Sequence, residues 1–128
     1  MGKPVRVMVV DDHDVVRRSL AMLLSTFEDL LLVGDAADGR EAVELTGLVC
    51  PDVILMDVVM PRMDGIAATR AVLSRCPETR ILVLTSHGVS GVREAAREAG
   101  ASGCISKDAT TLELAEALRS VARGQPVW

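Results

Sequence analysis

The sequence is poor in aromatic residues: Phe27 and Trp128 are the only two among 128 residues, and tyrosine is absent. A core without large rings must be built from Val, Leu, Ile, Ala and Met. The chain has the length of one ordinary domain, and such a domain buries roughly two-thirds of the surface that its unfolded chain exposes. The sequence therefore predicts one domain that needs neither a disulfide nor a structural metal.

Three further absences exclude classes of protein. The formal net charge is −4 and the pI is near 5.1, which argues against a nucleic-acid-binding surface on this chain. No apolar run approaches the about 20 residues that a membrane-spanning helix needs, so no membrane association is expected. Cys50, Cys76 and Cys104 are odd in number, far apart in sequence and without a Cys-x-x-Cys pair. Free thiols in a reducing cytoplasm are therefore expected instead of a disulfide frame or a zinc site.

Short, nearly continuous apolar runs alternate with amphipathic segments along the chain. The runs predict five strands, at 5–10, 30–33, 53–56, 80–84 and 103–106. The segments that follow them predict helices at about 14–27, 38–50, 66–75, 92–99 and 110–123. Strands separated by helical crossovers form a parallel sheet covered on both faces. The pattern therefore predicts a single α/β domain.

Polar residues stand where four of these strands end. Asp11 and Asp12 follow the first strand, Asp57 the third, Thr85 the fourth and Lys107 the fifth. Open parallel sheets bind ligands outside the carboxyl ends of their strands, at the point where the strand order reverses. If the order is 2-1-3-4-5, the first and third strands are neighbours there. Three carboxylates are then expected to crowd together at one edge of the sheet.

Crowded carboxylates need a counter-charge. Two unit charges about 4 Å apart repel by about 4 kcal/mol at an effective dielectric constant near 20. Either one carboxyl group stays protonated, or a cation lies among the three. Hard oxygen ligands that leave room for water and phosphate suit Mg²⁺. Because phosphoryl transfer is catalysed mainly by positioning and charge stabilisation, these residue types indicate phosphoryl chemistry.

Four sequence blocks resemble the conserved blocks of response-regulator receiver domains. They are the residues 9–13, 55–65, 84–86 and 105–107, which occur in the order and at the spacing of that family. The Asp-His-x-Val-Val-Arg run at 12–17 is similar to the NarL/FixJ subfamily, whose receivers precede a LuxR-type helix-turn-helix output domain. The resemblance covers essentially the whole chain. It implies a flavodoxin-like (βα)5 sandwich with a five-stranded parallel sheet of order 2-1-3-4-5.

The resemblance also implies how the acidic residues act. Asp57 would accept a phosphoryl group from a sensor histidine kinase or a small phosphodonor. Asp12 and Asp57 would bind Mg²⁺ directly, together with the backbone carbonyl of Val59, and Asp11 would act largely through water. The chain is then not an enzyme with a separate substrate. It is a phosphoacceptor that assists its own phosphorylation and dephosphorylation.

The resemblance implies roles for two further residues, and the chain departs from the family pattern at one position. Thr85 would move its hydroxyl onto the phosphoryl group in the active state, and Lys107 would pair with a phosphoryl oxygen. The family usually carries Tyr or Phe three residues before this lysine, and the inward swing of that ring reports phosphorylation. Here the position is Cys104. We expect phosphorylation to persist and the output mechanism to be altered or muted.

The expected organisation is one receiver domain over residues 1–128. It is either a single-domain regulator or the N-terminal half of a longer regulator, and the subfamily resemblance favours the second. In that case phosphorylation would switch the conformation and control transcription, with DNA contacted only through the absent output domain. A homodimer is a further expectation on family grounds. The expected location is the cytoplasm.

Two rival functions remain beside this one. A phosphatase of the haloacid-dehalogenase type has a second Asp two residues after its nucleophile, and Val59 stands at that position. A receiver that no longer takes phosphate and acts as a scaffold is disfavoured by the intact chemical residues, although Cys104 leaves it open. His13 is expected to begin a surface helix. His87 and Val59 lie two residues past Thr85 and Asp57, and we hypothesise that they tune the phosphate lifetime.

Overall fold

The order of the strands decides where the site can form. The computed structural model describes residues 2–86 and 91–128, and its elements are β1 (Val5–Val10), α1 (Asp14–Ser25), β2 (Leu30–Ala36), α2 (Gly39–Val49), β3 (Val53–Asp57), α3 (Gly65–Arg75), β4 (Arg80–Thr85), α4 (Val92–Ala99), β5 (Gly103–Ser106) and α5 (Thr111–Ala122). All strand pairs are parallel, in the order β2-β1-β3-β4-β5. The predicted fold and strand order are confirmed, and the switch point lies between β1 and β3.

Each central strand is buried on both faces, which explains its nearly continuous apolar sequence. Successive side chains of a strand point to opposite faces, so neighbours in sequence enter different cores. Met8 and Ile54 belong to the cluster under α2, α3 and α4. Val9 and Leu55 belong to the cluster under α1 and α5. Burying a side chain of this size contributes about 1.5–3 kcal/mol, so the two clusters provide most of the favourable free energy of folding.

Three helices begin at side chains that cap backbone N–H groups. Asp38 accepts the Glu41 backbone N–H at the start of α2, and Asp64 accepts the Ala67 N–H at the start of α3. At the start of α5, the Thr110 and Glu113 side chains bond each other's backbone N–H groups in a capping box. Such caps satisfy N–H groups that a helix cannot pair internally and contribute about 1 kcal/mol each.

Two boundaries differ from the sequence prediction by more than one residue. β2 continues to Ala36, three residues past the predicted end, because its last three residues pair with residues 8–10 of β1 beyond a register shift. α1 ends at Ser25 and not at Phe27, since the next turn closes by bonds from the Thr26 backbone N–H back to the preceding carbonyls. Both differences arise from pairing and capping, which apolar periodicity does not report.

The segment after α5 returns to the sheet. Val127 forms a parallel bridge with Gly103 at the free edge of β5, where the Cys104 N–H donates to the Val127 carbonyl at 2.8 Å. The next residue, Trp128, packs against the cluster under α4, with the Arg97 guanidinium carbon 4.6 Å from its ring centroid. None of the helices in the described part of the chain is long and apolar enough to cross a bilayer.

Candidate functional site

Three carboxylates meet at the carboxyl edge of the sheet. Asp11 and Asp12 follow β1, and Asp57 is the last residue of β3. One ligand atom from each, together with one from His13, lies within 4.8 Å of the others. Asp11 is 1% exposed and Asp57 is 2% exposed, so two of the three charges are shielded from bulk water. The crowding expected at the switch point is therefore present.

Lys107 supplies the nearest positive charge. It directly follows β5, and its Nζ lies 3.0 Å from Asp57 Oδ1. Burial raises the pKa of the Asp57 carboxyl above its usual value. The ion pair with Lys107 opposes that rise in pKa, the Asp11 carboxylate adds to it, and the Val59 backbone N–H lowers it again. One lysine does not neutralise this group of acids.

Several buried carboxylate oxygens have no hydrogen-bond partner among the described residues. They are Asp11 Oδ2, Asp12 Oδ1 and Asp57 Oδ2. His13 Nδ1 lies 3.1 Å from Asp12 Oδ1, but without the geometry of a hydrogen bond. A buried polar atom without a partner costs about 1–3 kcal/mol, and more if it is charged. Three such oxygens, one from each acid, form a donor set that fits a hard divalent cation such as Mg²⁺.

The backbone around Asp11 is fixed by several hydrogen bonds. Its N–H donates to the Ala36 carbonyl at 3.1 Å, which extends the β1–β2 ladder. Arg17 of α1 donates to the Asp11 carbonyl at 2.6 Å, and the His13 N–H donates to Asp11 Oδ1 at 2.8 Å. Asp11 Oδ2 is thereby held in a defined position although it has no partner of its own.

The loop after Asp57 depends on Gly65. The Gly65 N–H donates to the Val58 carbonyl at 2.8 Å and closes the loop against the end of β3. A Cβ at this position would overlap the Asp57 carbonyl oxygen and lie 2.9 Å from the Val58 Cα. The first turn of α3 therefore crosses the strand end at a distance that only glycine permits.

Two further predicted residues lie at the same edge of the sheet. Thr85 ends β4, and its hydroxyl donates to the Ser86 carbonyl at a long 3.5 Å. Val59 lies on the loop after β3 with 75% of its surface exposed. His87, the other residue of the phosphate-lifetime hypothesis, lies outside the described residues, so that hypothesis stays a prediction. The roles of Thr85 and the Val59 carbonyl also stay predictions.

Cys104 faces inward from β5. It is 6% exposed and belongs to the cluster beneath α4, with Val92 and Ala96. Burial raises the pKa of its thiol, while the nearby Arg93 opposes the rise. A buried, neutral thiol is a small packing group and a poor nucleophile. At the position where the family usually has a ring, this chain thus carries a compact side chain.

His13 is nearer to the chemistry than the sequence prediction placed it. It precedes α1 and is exposed, as expected, but its Nδ1 lies 3.0 Å from Asp11 Oδ1. The imidazole therefore borders the acidic cluster and can donate to one of its carboxylates. The signal was available in the sequence, because His13 directly follows the Asp11-Asp12 pair.

The fold and the acidic site at the carboxyl edge of the sheet define a class of protein. Solved structures with the same sandwich of five parallel strands and five helices match the chain closely. A LuxR-family two-component response regulator from Aurantimonas sp. SI85-9A1 matches with a TM-score of 0.93 at 35% identity, over 98% of this chain and 90% of that one. The signal receiver domain of the putative response regulator NarL from Mycobacterium tuberculosis matches with a TM-score of 0.91 at 37% identity, over 97% and 100%.

Sequence comparison identifies the family. Residues 7–119 match the model of the response regulator receiver domain, and the chain belongs to that family. The transcriptional regulatory protein LiaR of Bacillus subtilis is 40% identical over 122 residues, which are 95% of this chain and 58% of LiaR. The response regulator protein VraR of Staphylococcus aureus is 36% identical over 97% of this chain and 59% of VraR. The chain thus spans about three-fifths of the length of these relatives.

Proposed function

We propose that this domain accepts a phosphoryl group on Asp57 and that a divalent cation, Mg²⁺, assists the transfer. The proposal rests on the environment of the two Asp57 carboxylate oxygens. One of its oxygens is paired with Lys107 at 3.0 Å, and the other is buried without a partner among the described residues. A buried carboxylate with one oriented and one uncommitted oxygen is suited to act as a nucleophile.

The cation would be held by the uncommitted oxygens of Asp11, Asp12 and Asp57, with the Val59 carbonyl as a further ligand. When bound, it would neutralise charge on the carboxylates and on the transferred phosphoryl oxygens. This neutralisation is needed because a single lysine, Lys107, lies beside the three acids in the described structure.

The chain's own residues would perform the transfer as follows. An Asp57 carboxylate oxygen attacks the phosphorus of a phosphohistidine on a sensor histidine kinase, and the bond from phosphorus to the imidazole nitrogen breaks. Lys107 then exchanges its contact with Asp57 Oδ1 for a phosphoryl oxygen. Thr85 turns its hydroxyl from the Ser86 carbonyl toward another phosphoryl oxygen. The weak 3.5 Å contact of that hydroxyl leaves it free to turn.

The test measures the intact mass of the chain after incubation with acetyl phosphate or phosphoramidate, once with Mg²⁺ and once with EDTA. We expect a Mg²⁺-dependent gain of one phosphate, about 80 Da, in the unmodified chain and no gain in Asp57→Asn. Asp52→Asn is the matched control, because Asp52 precedes the same strand at its opposite end. It should be phosphorylated normally. A gain in Asp57→Asn equal to that of the unmodified chain would refute the assignment.

A receiver that acts only as a scaffold gives a different outcome. It would show no gain with small phosphodonors and none with a histidine kinase that phosphorylates other receivers of this family. We further propose that the domain is the receiver part of a longer cytoplasmic transcription regulator. The support is its coverage of 58% of a relative named as a transcriptional regulatory protein. DNA binding and homodimerisation would then be properties of that longer protein.

A further inference from the structure

The three cysteines are far apart in sequence, but the fold brings two of them together. α2 and α3 lie side by side on one face of the sheet, and each ends at a cysteine. Cys50 is the C-cap of α2 and Cys76 is the C-cap of α3. Both lie at the amino edge of the sheet, opposite the edge that carries Asp57. The pair is therefore separate from the phosphoacceptor site.

One carbonyl oxygen connects the two cysteines. The Thr46 carbonyl accepts the Cys50 backbone N–H at 2.9 Å and lies 3.8 Å from the Cys76 sulfur, which donates to it. One residue further along α2, a Cβ on Gly47 would lie 2.5 Å from the Arg75 Nε, so the side chain of Arg75 crosses α2 directly beside this point. The last turns of the two helices are thus in close contact.

The Cys50 thiol also affects the Cys76 thiol. Burial raises the pKa of the Cys76 thiol, and the neighbouring Cys50 thiol raises it further both as a like charge and as a hydrogen-bond partner. Arg75 opposes this rise in pKa. Cys104 is buried on a different part of the same face, beneath α4. The described structure therefore contains one dithiol pair and one separate thiol.

The pair is accessible from solvent through a cleft of about 360 Å³. The cleft is lined by Cys50, Pro51, Asp52, Cys76, Pro77, Glu78 and Thr79. Cys50 is exposed and Cys76 is partly buried. The backbone at both positions is fixed, because the Arg6 guanidinium donates to the Cys50 carbonyl at 2.6 Å and the Thr79 N–H donates to the Cys76 carbonyl at 3.1 Å.

We propose that Cys50 and Cys76 form a reversible disulfide by exchange with a low-molecular-weight disulfide. The exposed Cys50 thiolate attacks one sulfur of that molecule and releases its other half as a thiolate, which leaves a mixed disulfide on Cys50. The Cys76 thiolate then attacks the Cys50 sulfur and expels the second half. The protein loses two thiol protons and two electrons, and the small disulfide is reduced to two thiols.

The cross-link closes a loop that contains all of β3, Asp57 and α3. It joins the far ends of two helices whose starts border the acidic edge, so oxidation constrains the element that carries Asp57. Neither thiol lies at a helix N-terminus, where a thiolate is stabilised and a disulfide becomes easily reduced. Formation by thiol exchange is therefore expected to be slow. This proposal is independent of phosphorylation.

The experiment uses the full chain in a series of ratios of oxidised to reduced glutathione, followed by an acid quench and intact mass. We expect a loss of about 2 Da, the mass of two hydrogens, and a fall in titratable thiols from three to one. Trypsin should then yield the peptide 41–62 joined to the peptide 76–80, with the Cys104 peptide 98–107 reduced. Reductant should restore all three thiols.

Cys104→Ser is the matched control and should still lose 2 Da, whereas Cys50→Ser and Cys76→Ser should not. Cys50→Ser should stay unmodified, and Cys76→Ser should stop at the mixed disulfide. The proposal is overturned if the wild-type chain keeps three thiols, if glutathione remains attached to its Cys50, or if the bond involves Cys104 or a second chain. Peptide mapping of the wild-type chain identifies the bonded cysteines even if a variant fails to fold.

Discussion

The two edges of the sheet differ in how their polar groups are satisfied. At the carboxyl edge, the buried side-chain oxygens without a partner in the described structure belong to Asp11, Asp12 and Asp57. At the amino edge, the Arg6 guanidinium donates to the carbonyls that end α2, at 2.6 and 2.7 Å. Thr79 there donates its buried hydroxyl to the Pro51 carbonyl at 2.9 Å.

This difference separates a structural edge from a binding edge. A fold stabilises itself by pairing its buried polar groups, as the amino edge does. Unpaired buried carboxylates lower stability and persist where a ligand pairs them. The comparison therefore predicts opposite effects of substitution on stability. Removing a paired polar group of the amino edge should lower the free energy of unfolding. Removing the charge of an acid with an unpaired oxygen at the carboxyl edge should raise it in the absence of cation.

The largest expected effect comes from Gly65→Ala. The added methyl group overlaps the Asp57 carbonyl, so the end of β3 or the start of α3 must shift. We expect a loss of about 3 kcal/mol in the free energy of unfolding, measured with urea. The control is Gly2→Ala, where a Cβ would meet nothing within 4 Å and stability should not change. Equal stability of the two variants would show that the close approach is absent.

The next effect tests the amino edge. Arg6→Met keeps the length and apolar stem of the side chain but removes both donors to the carbonyls that end α2. We expect a loss of about 2 kcal/mol, because hydrogen bonds to a charged group contribute about 1.5–3 kcal/mol. Arg70→Met, at an exposed position of α3, is the control and should change little. If both variants unfold at the same urea concentration, the amino edge is not stabilised in this way.

A smaller effect of opposite sign tests the carboxyl edge. Asp57→Asn should raise the free energy of unfolding by about 1 kcal/mol in EDTA, because it removes a buried charge with an unpaired oxygen. Mg²⁺ should stabilise the unmodified chain more than this variant. Thermal unfolding with and without Mg²⁺ measures both effects. A destabilised Asp57→Asn in EDTA would mean that the Lys107 ion pair outweighs the crowding.

The pH dependence of the same variant has a defined sign. The pKa of Asp57 is raised in the folded state, so the native protein retains this proton to higher pH than the unfolded chain does. The stability that the protonated form contributes is present below the usual pKa of 3.8 and is lost as pH rises through the folded-state pKa. Asp57→Asn should remove this decline. An unchanged pH profile would contradict the raised pKa.

The smallest effect concerns Asp38, a paired acid after β2. The Glu41 backbone N–H and the Arg62 guanidinium lower the pKa of Asp38. The stability that the ionised Asp38 carboxylate contributes is therefore present above pH 3.8 and is lost as pH falls through the folded-state pKa. Asp38→Asn keeps a cap but removes the charge, and it should lower stability by about 0.5 kcal/mol at neutral pH. The difference from the unmodified chain should vanish in acid; a constant difference would exclude a charge effect.

Local sequence signals predicted most of the elements for identifiable reasons. The caps at Asp38, Asp64 and Thr110 are local hydrogen bonds within four residues, so short sequence patterns report them. The end of β2 at Ala36 depends instead on how β1 pairs with it across the sheet. Likewise, Trp128 meets Arg97 because the segment after α5 returns to the edge of β5, a contact between distant parts of the chain.

The candidate site divides in the same way. Asp11, Asp12, Asp57 and Lys107 could be named from the sequence because each follows a recognisable strand. Which oxygens of these acids would lack partners could not be known, since that depends on atoms contributed by β1, β3 and β5 together. The nearness of Cys50 to Cys76 was likewise unpredictable, because their spacing in the sequence carries no signal of the packing of α2 on α3.

The sequence by itself determined the alternation of strands and helices, the residues at the strand ends and the family to which they belong. It could do so because apolar periodicity, capping and turn chemistry act over a few residues. Only the tertiary structure decided which carboxylate oxygens remain unpaired, which thiols become neighbours and how closely Gly65 approaches Asp57. These features depend on distances between segments far apart in the chain, and such distances are set when the sheet and its helices pack together.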